Sequence, residues 1–124
     1  MKEILLSLCL SLILTLAVEL TLALLLKVRS GKDLFIIALA NLLTNPAVNY
    51  GSYWAFYLFG TRSVYTVLIV AALETAAVFI EFLIYRRLLS FDRIGKLRLS
   101  ILLNGASFLA GVAVSAVMTL FASK

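Results

Sequence analysis

The chain has 124 residues, of which 64% are hydrophobic and 14% charged, with a mean hydropathy of +1.12 and a net charge of +5. Soluble domains carry about 25% charged and about 45–50% apolar residues, so this chain lacks the polar surface to coat a water-soluble particle and has the composition of an integral membrane protein. It contains no His, which excludes His-ligated metal and haem centres and Ser-His or Cys-His catalytic pairs, and its single Cys, Cys9, excludes an intrachain disulfide or a CxxC pair.

Four apolar stretches follow one another. The first, about 4–26, carries Glu19 as its only charge. It reads as a transmembrane helix and not a cleaved signal peptide: Lys2 is followed at once by Glu3, the apolar run is long, and no small-x-small cleavage site follows. The second, about 34–58, has no formal charge and is expected to kink at Pro46, whose ring removes a backbone donor and frees the Leu42 carbonyl. The third, about 64–88, contains Glu74 and Glu81, and the fourth, about 99–122, has no charge. Each reaches the roughly 20 residues a helix needs to cross a bilayer, and none alternates as a barrel strand would. The expected fold is therefore one all-α transmembrane domain, a small bundle of four antiparallel helices.

Lys and Arg are unevenly placed. Eight (Lys27, Arg29, Lys32, Arg86, Arg87, Arg93, Lys96, Arg98) flank the first and third connections, against three (Lys2, Arg62, Lys124) on the other side. Basic residues collect on the cytoplasmic face, which predicts an inner (plasma) membrane protein with cytoplasmic loops at 27–33 and 86–98 and both termini outside. Basic residues at span ends give no reason to expect nucleic acid as a partner; the lipid bilayer is the expected one. Six of the ten residues 50–59 are aromatic (Tyr50, Tyr53, Trp54, Phe56, Tyr57, Phe59). They read as an interfacial belt, with a lid over an outer entrance as the alternative, and the sequence leaves open whether they extend the second helix.

The spans hold polar residues that a bilayer does not tolerate without reason. Glu19, Glu74 and Glu81 have no Lys or Arg at their depth. An ionised carboxylate is expensive in this setting, so such groups face the interior, and each either carries a proton or binds a cation. The bland reading is helix packing by protonated Glu. Glu74 and Glu81, two turns apart, share a face with Ala77 between them. Asn41, Asn45 and Asn49 form a polar stripe on the second helix, where amides either bond across helices or offer oxygen ligands. Counting at 1.5 Å per residue places Glu19, Asn41, Glu81 and Asn104 about 8–11 Å from the cytoplasmic edge, one from each helix. Asn45 and Glu74, with Thr15 and Ser107, would form a second layer. The candidate ion- or proton-binding residues are thus Glu19, Glu74, Glu81, Asn41, Asn45 and Asn104. Ser7, Ser11, Thr15 and Glu19 also fall at steps of four; hydroxyls bonding their own helix are the bland account of the first two. Ser107, Gly111 and Ser115 form a small-xxx-small face, expected to pack closely within the bundle or between protomers.

Two motifs mislead. Asn45-Pro46-Ala47 matches the signature of water channels, which need two copies in a chain about twice this size. The Glu74/Glu81 pair lacks the intervening Asn of the small membrane diacylglycerol kinases. Neither family is assigned.

Three functions compete. Buried acids without basic partners suit a proton- or cation-coupled transporter or conductance, working as a homo-oligomer because four helices rarely enclose a whole pathway. A non-catalytic subunit of a larger membrane complex would use the same polar groups to pair with another chain. A membrane-embedded enzyme on a lipid-like substrate would use Glu as base and Arg86, Arg87 and Arg93 for a phosphate, though topology explains those Arg more simply. No catalytic residue and no cofactor is assigned; the metal, if any, is not identified by the sequence.

Overall fold

A computed structural model describes residues 2–122, with side chains to Phe121; Lys124, counted above with the sparse basic side, lies outside the described residues. The chain is all-helical: α1 (Lys2–Leu25), α2 (Gly31–Phe59), α3 (Val64–Leu88) and α4 (Lys96–Ala122). All four are long and apolar enough to cross a membrane. Each packs against two others, α1 on α2 and α4, and α3 on α2 and α4, an arrangement compatible with a helical bundle.

Local chemistry sets the helix ends. α1 stops in a left-handed residue, Lys27 (φ 70°), whose N–H donates to Leu24 O while Val28 N–H reaches Ala23 O at 2.9 Å. This double closure satisfies orphan carbonyls and seats Val28 against Ala23, both fully buried. Ser30 caps α2 by accepting from Asp33 N–H at 3.4 Å, which starts the helix at Gly31, a turn earlier than hydropathy suggests. α2 continues without interruption through Pro46 to Phe59, so residues 50–59 belong to the helix. Tyr50, Tyr53 and Tyr57 ring Trp54 edge to face, with centroids 5.6–6.2 Å apart, and are exposed. α4 begins at Lys96, so the basic turn Lys96–Arg98 is helix and not loop.

The two basic connections meet at one end. Asp33, 1% exposed, accepts from both the backbone N–H (3.0 Å) and the hydroxyl (2.9 Å) of Ser90. It ties the start of α2 to the connection after α3. Hydrogen bonds to a charged group contribute about 1.5–3 kcal/mol, so Asp33→Ala is expected to lower stability by about 2 kcal/mol in thermal unfolding in detergent, with Asp33→Asn intermediate because its amide oxygen still accepts.

Packing differs sharply between the two ends. Near the basic connections the interior is bulky: Ile36, Ile37, Tyr85, Leu89, Leu99 and Leu103 join Ala23, Val28 and Ala40 in one buried cluster. In the other half the cavity-lining positions of α1 and α4 include Ser7, Ser11, Ser107, Gly111 and Ser115, too small to fill the space between the larger side chains beside them. α2 and α3 do close there: Thr66 donates to Gly60 O at 2.7 Å, and Gly51 lets Leu73 approach where a Cβ would sit 2.8 Å from its methyl. Residues 112–121 of α4 are all exposed. The result is a core at one end and a cavity at the other.

Candidate functional site

The cavity holds about 870 Å³ and is lined by all four helices. It runs from Glu3, Phe56 and Ser115 at its far end to Asn41, Thr44 and Asn104, where the packed core begins. Its only charged lining side chains, among the described residues, are carboxylates: Glu3 and Glu74. Glu74 is half-buried in the wall, and Ala77, one turn deeper on the same helix, is buried and lines the wall too.

Glu19 and Glu81 lie at or below the cavity floor and are 0% exposed, so neither reaches the outer surface of the chain. Glu81 is held from three helices. Thr44 Oγ1 of α2 lies 2.6 Å from its Oε1; Asn104 Nδ2 of α4 donates to Oε2 at 2.5 Å; Tyr85 of α3 donates to Oε2 at 3.2 Å. Glu19 of α1 has one partner, Ser107 Oγ of α4, at 3.0 Å from Oε1, and its Oε2 has none. Asn41 lies beside Glu19 without a hydrogen bond of ordinary geometry, and both its amide atoms are buried and unpartnered. Asn104 links the two carboxyls, since Ser107 Oγ also lies 3.0 Å from Asn104 O.

The hydroxyls share one feature. Thr44 Oγ1 lies between Glu81 and Ala40 O (3.1 Å), and Ser107 Oγ lies between Glu19 and Asn104 O. A hydroxyl has one hydrogen and can accept as well. When the carboxyl is ionised, the hydroxyl donates to it. When the carboxyl is protonated, it donates to the hydroxyl, whose hydrogen turns to the backbone carbonyl. Either state is satisfied without moving a heavy atom, so each carboxyl can take or release a proton at little cost in hydrogen bonding.

The structure thus brings Glu19, Asn41, Glu81 and Asn104 into one neighbourhood, with Glu74 higher in the cavity wall. Asn45 joins the wall by donating to Thr15 Oγ1 at 2.9 Å, and Asn49 donates back to Asn45. Thr44 and Tyr85 have no site role in the sequence reading, and Ser107 enters it only in the second layer and the small-residue face. Their spacing was available: Tyr85 is four residues from Glu81, Thr44 three from Asn41 and Ser107 three from Asn104, each on the same helix face. Within the chain, Ser107, Gly111 and Ser115 line the cavity, and a Cβ at Gly111 would meet nothing within 4 Å. Small residues admit either a close neighbour or open space, and here α4 leaves space. No group of three or more His, Cys, Asp or Glu able to hold a metal ion occurs among the described residues.

Comparison with protein-family models, with curated proteins and with solved structures gave no match.

Proposed function

We propose that the chain is a small multi-pass membrane protein that binds a proton or cation at the Glu19–Glu81 neighbourhood and acts as a proton- or cation-coupled transporter or conductance. The four helices are antiparallel in the bilayer, the basic connections face the cytoplasm and both termini lie outside. The cavity then opens away from the cytoplasm, and the core beneath it closes the inner side. The aromatic side chains on the end of α2 sit at the outer interface as a belt. The observation that carries this reading is the paired hydroxyl relay: two buried carboxyls, with no basic partner among the described residues, each rest against a hydroxyl that has a second acceptor on its own helix. A single-sided cavity in four helices favours a homo-oligomer, in which a second copy completes the pathway.

The test is thermal stability in detergent across pH and across Na⁺, K⁺, Mg²⁺, Ca²⁺ and Mn²⁺ at matched ionic strength. A ligand bound only by the folded state at 100 times its Kd adds about 2.7 kcal/mol. The expected result is a shift with pH or with one cation that is reduced in Glu81→Gln. A flat response in well-folded protein contradicts it.

The exposed outer half of α4 favours a second reading, a subunit whose residues 112–121 dock on another membrane chain. In that case the protein purified alone is unstable and is rescued by its partner.

A further inference from the structure

Three features remain unused by a bare proton site: the size of the cavity, its apolar walls and the unpartnered amide at its floor. A bare metal ion needs a tight shell of oxygens at about 2.3–2.6 Å for Ca²⁺ and about 2.0–2.1 Å for Mg²⁺, whereas this cavity holds about 870 Å³, within the roughly 300–1,000 Å³ typical of sites for organic molecules. Between the hydroxyls its walls are aliphatic and aromatic, with Leu10, Leu14, Val48, Phe56, Val70 and Phe108 facing the space. Such walls do nothing for a hydrated inorganic ion, and they stabilise an apolar body by removing it from water.

The floor has the opposite chemistry. Asn41 is 1% exposed, lines the cavity, and leaves Oδ1 and Nδ2 without partners. Leaving a buried polar atom bare is costly, so an occupant that bonds Asn41 Oδ1 is favoured over one that does not. The occupant is then a donor with positive charge, to suit a cavity whose charged residues are Glu3 and Glu74 with no Lys or Arg among its described lining.

We infer that the cavity binds an organic ammonium ion, with an N–H donor on Asn41 Oδ1 at the floor, its charge matched by the Glu74 carboxyl in the wall and its apolar body along α1 and α4. This rests on the proposed cation or proton role of the buried carboxyls beneath the same cavity and names the substrate class.

The probe is 2-phenylethylammonium, measured by calorimetric titration of the purified protein in lipid nanodiscs, with its N,N,N-trimethyl analogue and Na⁺ as comparators. Saturable binding of phenylethylammonium is expected, at least about tenfold tighter than the trimethyl analogue, which lacks an N–H donor for Asn41 Oδ1. Glu74→Gln should weaken binding about tenfold or more by removing the carboxylate of the cavity wall. Gly111→Leu places a side chain in open cavity space about two turns above Asn104. It should block the apolar body and abolish binding, yet leave the pH response of the carboxyls and the melting temperature near wild type. Absence of saturable binding overturns the inference, as does binding unchanged by Gly111→Leu, or an acyl chain in the cavity that the probe does not displace. If the pH or cation response persists in protein that binds no ammonium, the proposed function stands and only the substrate class falls. If that response is also absent, both fall.

Discussion

Glu81→Leu is expected to be the most damaging single substitution in the membrane-spanning region, lowering stability by about 2–4 kcal/mol, while Glu81→Gln lowers it by less than about 1 kcal/mol. The difference follows from hydrogen-bond satisfaction and not from side-chain size. Leucine leaves the fully buried Tyr85 hydroxyl without its partner and removes the acceptor of an Asn104 hydrogen. Thr44 and Asn104 keep Ala40 O and Ser100 O, which limits the loss. Glutamine keeps all three partners: its carbonyl accepts from Tyr85 and Asn104, one hydrogen of its amide goes to Thr44, and Thr44 donates to Ala40 O. It copies the protonated carboxyl and cannot lose the proton. Glu81→Gln should therefore fold, melt near wild type, and lose the part of the pH or cation response that Glu81 carries. Thermal unfolding in detergent ranks the two variants; equal destabilisation would contradict the bonding scheme.

Asn104→Leu ranks second among substitutions in the Glu19–Glu81 neighbourhood. Hydrogen bonds between helices in membrane proteins contribute about 0.6 kcal/mol on average and up to about 1.7, and this one lies at the top of the range because its acceptor is a carboxyl. A loss of about 1.5 kcal/mol is expected on this scale. The effect should be coupled to Glu81. In a Glu81→Leu background the partner is already gone, so Asn104→Leu should cost little more, and a double-mutant cycle should return a coupling of about 1 kcal/mol or more. Additive losses would place the contribution of Asn104 in its own helix, through Ser100 O, and not in the interhelical network.

Hydropathy makes the four helices legible, because a span of apolar residues has few other uses at this length. It reads their ends less well. Gly31–Asp33 are small or charged and Lys96–Arg98 carry two charges, so they look like loop, yet Ser30 caps the first group into α2 and the second forms the first turn of α4. Asp33 stands in a basic turn and reads as a solvated charge; only the fold brings Ser90 to it. The site shows the same division. Glu19, Glu81, Asn41 and Asn104 attract notice because bilayer-depth polarity is costly. Which residue bonds which depends on helix rotation, and one-dimensional spacing does not carry it. Thr44, not Asn41, meets Glu81, and Asn41 turns to Glu19. Ser107, Gly111 and Ser115 show the ambiguity most plainly: the same small-residue spacing serves a tight helix crossing or a cavity wall, and the outward course of α4 decides between them.

The most direct measurement is infrared difference spectroscopy of the carboxyl C=O band in lipid-reconstituted protein as pH is cycled. The account predicts a reversible protonated-carboxyl band that loses one component in Glu19→Gln and another in Glu81→Gln, with shifts in Ser107→Ala and Thr44→Val, whose hydroxyls make the relays. A spectrum in which no carboxyl band titrates, or in which the titrating band survives both Gln substitutions, would show that Glu19 and Glu81 are fixed structural groups and would contradict the exchange of a proton or cation at this site.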